Sequence, residues 1–296
     1  MADITLIEKL GFDTKDKVVI FHIDDIGFSH SSNLGAFECL DFGVASCGSI
    51  ITTAPWFLEA ASIYKKNPKH DIGVHLTLTC EYELYRWRAI SSVDPATGLL
   101  DSEKSLWRTT EEAVANITPK AAENEMRMQI QMAIDAGINI THIDSHMGTV
   151  MDPKFIMIYL KLAREFKVAP FLPRVSREDL ISLGLGDQAD IYLKMFAKIE
   201  ESGVPLLDHL VIDTLGPQSN KVKYYCRRFS QIKPGLTHFL FHPAKMSPEL
   251  QAITPDSASW RNKDYEAFTN PRLKEYAEEN DLNIIGYKEI TDLTYP

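Results

Sequence analysis

Five side chains of this sequence are of the types that metal-assisted hydrolysis uses: the adjacent carboxylates of Asp24 and Asp25, and the imidazoles of His75, His146 and His242. One carboxylate and two imidazoles make a facial set that suits a divalent ion and leaves positions open for water and substrate. A second carboxylate beside such an ion is placed to act as general base, and a further imidazole to hand a proton to a leaving group. If Asp25, His75 and His146 hold the ion, Asp24 is the free base and His242 the proton donor, a combination that hydrolyses an amide or an ester. Taken singly, each residue has a plainer explanation. An Asp after a strand is commonly a turn or helix cap, and a lone His on a strand is commonly a satisfied core residue. What lifts the set above that reading is where the chain places its members.

The acids end an apolar, β-branched run over 17–25 that reads as a buried strand. Strand side chains alternate, so Asp24 and Asp25 are expected to point in opposite directions. Further strands are predicted at 46–53, 71–79, 140–146, 170–175, 208–213, 236–241 and 283–287. Helices are predicted at 34–42, 55–66, 119–136, 152–166, 191–201, 219–232 and 264–280, with another helix start at Ser176 and Asp179. Strand and helix alternate about seven times, which implies a parallel sheet. No Gly-x-Gly-x-x-Gly follows the first strand and no Walker sequence occurs, so the usual nucleotide reasons for an open sheet are missing. The expected architecture is therefore a TIM-like α/β barrel, one domain over 1–296 with a long insertion at about 80–118. Asp24/Asp25, His75, His146 and His242 each fall at or near the C-terminal end of a strand, the rim that carries the active site of such barrels.

Supporting roles follow from the same alternation. His22 and His142 lie one step further inward, Asp144 is placed to orient a neighbouring ligand, and His209 and His238 read as packing or surface. The insertion carries Tyr82, Tyr85, Trp87, Arg88 and Trp107. Such aromatics stack on sugar faces, and they equally suit a packed lid or a subunit contact. Trp87, Arg88 and Arg174 are the candidate substrate contacts.

Composition narrows the partners. A net charge of −10 argues against nucleic acid, which calls for a basic face. Cys39, Cys47, Cys80 and Cys226 lack CxxC spacing and read as reduced packing residues. The N-terminus lacks the basic and apolar regions of a signal peptide, and no apolar run is long enough to span a bilayer, so a cytoplasmic location is expected. A homodimer is an allowed assembly that the sequence does not specify.

Together, HIDDIGFS (22–29), DIGVHLTL (71–78), THIDSH (141–146) and LFHPA (240–244) resemble the motifs of the YdjC-like family of carbohydrate deacetylases, which includes the chitooligosaccharide deacetylases. The resemblance runs from the first strand to beyond His242. It implies a deformed (β/α) barrel, one divalent ion (magnesium or zinc), and hydrolytic removal of an N-acetyl group from an amino sugar or short oligosaccharide. Carried over by motif, it gives Asp25, His75 and His146 as metal ligands, Asp24 as base and His242 as the catalytic histidine. Many members continue the fourth-strand motif with further histidines, whereas this chain reads His146-Met147-Gly148-Thr149, so contacts made by those extra imidazoles are not expected here. Two alternatives stand beside this reading: another barrel metallohydrolase, of amidohydrolase or phosphoesterase type, and an inactive sugar-binding barrel. The first commonly opens on His-x-His where this chain has His22-Ile23-Asp24-Asp25; the second is expected to lose the base or the proton donor, and Asp24 and His242 are both present.

Overall fold

The apolar run that precedes the two acids forms the central strand, β1 (Lys17–Ile26). In the computed structural model, which describes residues 5–212, 214 and 216–296, it is joined by β2 (Cys47–Ile50), β3 (Asp71–Leu76), β4 (Ile140–Ser145), β5 (Ala169–Pro170), β6 (His209–Val211), β7 (Gly235–Phe241) and β8 (Leu282–Ile284). All pairings are parallel, in the order β5-β4-β3-β2-β1-β7-β6. The outer strands are linked by a bridge from Pro173 to Leu207, with Leu207 N–H donating to Leu172 O at 2.9 Å and Arg174 N–H to Leu207 O at 2.8 Å. The sheet therefore curls into a deformed (β/α) barrel. The deformation is centred on β1, whose residues 17–19 pair with β8 while 22–26 pair with β2 on the same edge.

Alternation along β1 separates two environments. Val19, Phe21 and Ile23 face outward with no solvent exposure and pack under the helical layer. The Phe21 ring lies 4.7 Å from Phe229 on helix Lys221–Ser230 and 5.9 Å from Phe268 on helix Ala258–Phe268, centroid to centroid. Val18 and Ile20 face inward, where Leu236, Ile285, Tyr287 and Ile290, with Ile7 of helix Leu6–Lys9, fill the lower end of the barrel. Above them the inward positions become polar: His22, then Asp24.

Two local expectations need correction. The helix predicted over 264–280 is two helices, Ala258–Phe268 and Pro271–Glu279. Pro271 cannot continue the first, and Asn270 caps the second by accepting Arg272 N–H at 3.0 Å. The strand predicted at 170–175 shrinks to β5 and the Pro173 bridge, because Pro173 has no N–H for a continuous ladder. Within the insertion, helix Thr110–Asn116 is opened by a Thr109–Glu112 capping box. Before that helix it is held by the bridges Thr79–Trp107 and Leu100–Leu106. Residue 213, the end of one predicted strand, and residues 1–4, part of the leader reading, lie outside the described residues. No helix among the described residues is long and apolar enough to cross a membrane.

Candidate metal centre

The turn out of β1 decides where its two acids point. Asp25 has φ 64° and Gly27 φ 89°, so the extended backbone ends at Asp24. Asp tolerates the left-handed region better than most residues. Gly27 is required where it stands, since a Cβ there would sit 3.0 Å from Ile51 O. Asn33 Oδ1 accepts Gly27 N–H at 2.7 Å and Ser29 caps helix His30–Phe42, which fixes the turn. The expectation that the two carboxylates diverge therefore fails. His242 Nε2 lies 3.7 Å from Asp24 Oδ2 and 4.0 Å from Asp25 Oδ2, so both acids reach one imidazole. Strict alternation would hold only for extended φ at Asp25.

Asp25, His75 and His146 converge, with one ligand atom of each within 4.8 Å of the others, and all three are buried. Asp25 Oδ1 lies 3.6 Å from His75 Nε2 and 3.4 Å from His146 Nδ1 and has no hydrogen-bond partner among the described residues. The far nitrogen of each ring is held by a carboxylate: His75 Nδ1 by Asp144 Oδ1 at 2.9 Å, and His146 Nε2 by Glu81 Oε2 at 2.9 Å. Such partners select the tautomer whose free nitrogen faces the ion. The second oxygen of Asp25 is taken by Arg261 Nη1 at 2.9 Å, which leaves Oδ1 turned toward the histidines. A buried, unsatisfied carboxylate oxygen between two oriented imidazole nitrogens fits a divalent cation.

The neighbouring groups are also held. Asp24 Oδ1 is 2.7 Å from His22 Nδ1, leaving Oδ2 toward His242. His242 N–H donates to Asp264 Oδ2 at 3.2 Å, and Asp264 Oδ1 is itself anchored by Lys221 Nζ at 2.6 Å and Tyr225 OH at 2.5 Å. Burial alone would raise both acids, but positive neighbours win: Arg261 foremost for Asp25, and the His22 hydrogen bond foremost for Asp24, hold each below the ordinary carboxylate range. Burial lowers His242, which favours its neutral form at rest. The imidazoles of His75 and His146 go the other way despite burial, raised chiefly by Asp144 and by Glu81 respectively, His146 to about 10. Four carboxylates around two ring nitrogens create the negative field that a divalent ion would meet.

The candidate substrate contacts fare differently. Trp87 is buried, its indole N–H bonded to Thr79 O at 3.0 Å and its ring packed among Phe28, Tyr82 and Tyr85. Of the two uses the sequence left open, it takes the packed one in this structure, with its ring centroid 6.0 Å from that of His146. Arg88 is exposed and makes no side-chain hydrogen bond or ion pair among the described residues. Arg174 pairs with Glu200 and Asp208, and Asp208 Oδ2 accepts Leu236 N–H at the start of β7, a strand's length from His242. It stands at the wrong end of the barrel for the site. Sequence reasoning missed Glu81 and Arg261. A His–carboxylate pairing 65 residues apart leaves no spacing signal, and Arg261 precedes the predicted start of its helix.

Comparison with known proteins gives a consistent picture. The family described as YdjC-like protein matches residues 18–279. A carbohydrate deacetylase from Thermus thermophilus is 31% identical over 274 residues, covering 91% of this chain and 92% of the relative. A carbohydrate deacetylase from Brevibacillus brevis is 24% identical, covering 92% and 99%. Among solved structures, an Enterococcus faecalis protein described as a candidate cellobiose-phosphate cleavage protein superposes with TM-score 0.77 at 22% identity, covering 93% of this chain and 99% of that one, which shows the shared fold.

Proposed function

This chain belongs to the YdjC-like family, and from that membership we propose that it is a metal-dependent carbohydrate deacetylase acting on an N-acetylated amino sugar or short oligosaccharide. Asp25 Oδ1, His75 Nε2 and His146 Nδ1 would hold one divalent ion, magnesium or zinc. Such an ion supplies Lewis acidity, polarising the acetyl carbonyl and acidifying water. Asp24 Oδ2 takes a proton from the attacking water while Oδ1 stays anchored on His22. Water oxygen bonds to the acetyl carbon, the carbon–nitrogen bond breaks, and the sugar nitrogen must gain a proton to leave as an amine. His242 supplies it after receiving the proton from Asp24 Oδ2, which lies 3.7 Å from its Nε2. The second proton of the water ends on the released amine, so the products are acetate and the amino sugar as its ammonium form, and Asp24 returns to its ionised state.

The observation that carries this reading is the unsatisfied, buried Oδ1 of Asp25 between two oriented imidazoles, with Asp24 and His242 adjoining. Acetate release from a panel of N-acetylated amino sugars and short oligosaccharides, with and without chelator, tests it. Release that stops with chelator and returns with magnesium or zinc is the expected result. Chelator-insensitive turnover rejects the metal chemistry, and sugar binding without release rejects the enzyme.

A further inference from the structure

Beneath the metal centre the barrel interior holds a continuous polar row. Asp24 Oδ1 meets His22 Nδ1 at 2.7 Å, and His22 Nε2 meets His142 Nε2 at 2.9 Å. His142 Nδ1 lies 2.8 Å from Thr141 Oγ1, whose hydroxyl is bonded to Asp71 Oδ1, and Asp71 Oδ2 accepts Lys288 N–H at 2.8 Å. Both imidazoles are fully buried. Gly73 makes the room, because a Cβ there would stand 2.5 Å from His142 Cδ2.

Each contact in the row needs one proton between its heavy atoms, and ionised carboxylates bring none. The Thr141 hydroxyl gives its proton to Asp71, so His142 must present Nδ1–H to Thr141, and His22 must present Nδ1–H to Asp24. The nitrogen-to-nitrogen contact then needs a third ring proton, whereas two neutral imidazoles carry two. We infer that His22 and His142 share one proton more than a neutral pair, forming a buried positive charge between Asp24 and Asp71, and that this charged row is the positioning device that keeps Asp24 Oδ2 turned toward His242. The assignment of a task to Asp24 rests on the deacetylase reading; the proton count does not.

The surroundings agree. Asp71 lies below the ordinary carboxylate value although burial opposes it, with His142 the main lowering influence. Burial lowers His142, and His22 stands between two carboxylates, hydrogen-bonded to Asp24 Oδ1 at 2.7 Å and 3.6 Å from Asp144 Oδ2. The other groups against the pair stay neutral: burial holds the Cys47 thiol and Tyr287 phenol high and His238 low. Tyr287 stacks on His142 with centroids 4.2 Å apart, and His238 lies 4.8 Å from His22.

Nitrogen-15 NMR of the imidazoles in the magnesium-loaded full chain tests the count at neutral pH. Three protonated ring nitrogens are expected in the pair, and two in Asp71→Asn. An amide at 71 can accept from Lys288 with its oxygen and donate to Thr141, whose hydroxyl then turns to His142, so the row survives with neutral rings. The same variant should lose about tenfold in kcat with KM and metal content unchanged, a fraction of the ~10²–10⁴ that a placed general base contributes. Two protons in the wild-type pair overturn the inference, as does a second zinc equivalent that Cys47→Ser removes, since His22, Cys47 and His142 would then be ligands. An unchanged kcat in Asp71→Asn overturns the positioning role. Three protons without acetate release would instead reject the deacetylase reading and leave the row standing; two protons with normal release would do the reverse.

Discussion

The two faces of β1 are built from alternate residues of one ten-residue strand, yet they obey different rules. Outward, Val19, Phe21 and Ile23 meet a helical layer in which shape and apolar area are what count. Inward, Val18, Ile20, His22 and Asp24 climb from an apolar plug to a hydrogen-bonded interior and end at the proposed metal centre. The contrast teaches that one strand can separate stability from chemistry by side-chain direction alone. It also locates the point where that separation ends, because at Asp25 a left-handed backbone swings the next carboxylate to the inner side.

Substitutions on each face should break different properties. Asp24→Asn should lower turnover by ~10²–10⁴ while bound metal stays near wild type, because only the base is lost. Metal content falling with activity would make Asp24 a ligand. Phe21→Ala should cost about 3–5 kcal/mol in urea unfolding, with kcat/KM of the folded protein nearly unchanged. A large drop in kcat/KM there would erase the distinction between the faces. Glu81→Gln removes the charge that holds His146 Nε2 and should weaken metal binding by ~10–100-fold in chelator competition. Unaltered affinity would reduce Glu81 to an anchor for the insertion.

The smallest effect is expected at the foot of the inward face and depends on pH. Asp71 has its carboxyl below the ordinary value of ~3.9. Its stabilising contribution is therefore complete above that pH and is lost as pH falls through the lower, folded-state value. The difference in urea midpoint between wild type and Asp71→Asn should be flat near neutrality and shrink in acid. A difference that shrank as pH rose would contradict the assignment.

Much of the inner face was legible because it is periodic. The β-branched run of β1, the alternation in 71–79 and the THIDSH sequence announce parallel strands and place His75 and His146 near one rim. Asp144 as the support of a neighbouring ligand follows from that same period, and the structure makes that neighbour His75. What was not legible comes from backbone sign and long-range packing. The positive φ of Asp25 has no marker in residue type, since Asp is as common in extended turns. Arg261 reaches Asp25 across 236 residues, and the row from Asp24 to Asp71 draws on three strands that only the barrel brings together. Trp87 stayed open between two uses because an aromatic side chain in an irregular segment reads the same whether it faces ligand or core.

The central claim is that Asp25, His75 and His146 share one cation, and anomalous diffraction from zinc-soaked crystals of the full chain addresses it directly. The expected result is a peak within bonding distance of Asp25 Oδ1, His75 Nε2 and His146 Nδ1, absent in His75→Ala and kept in Asp24→Asn. A peak that persists at that place in His75→Ala, or one found only deeper at His22, Cys47 and His142, would contradict the account.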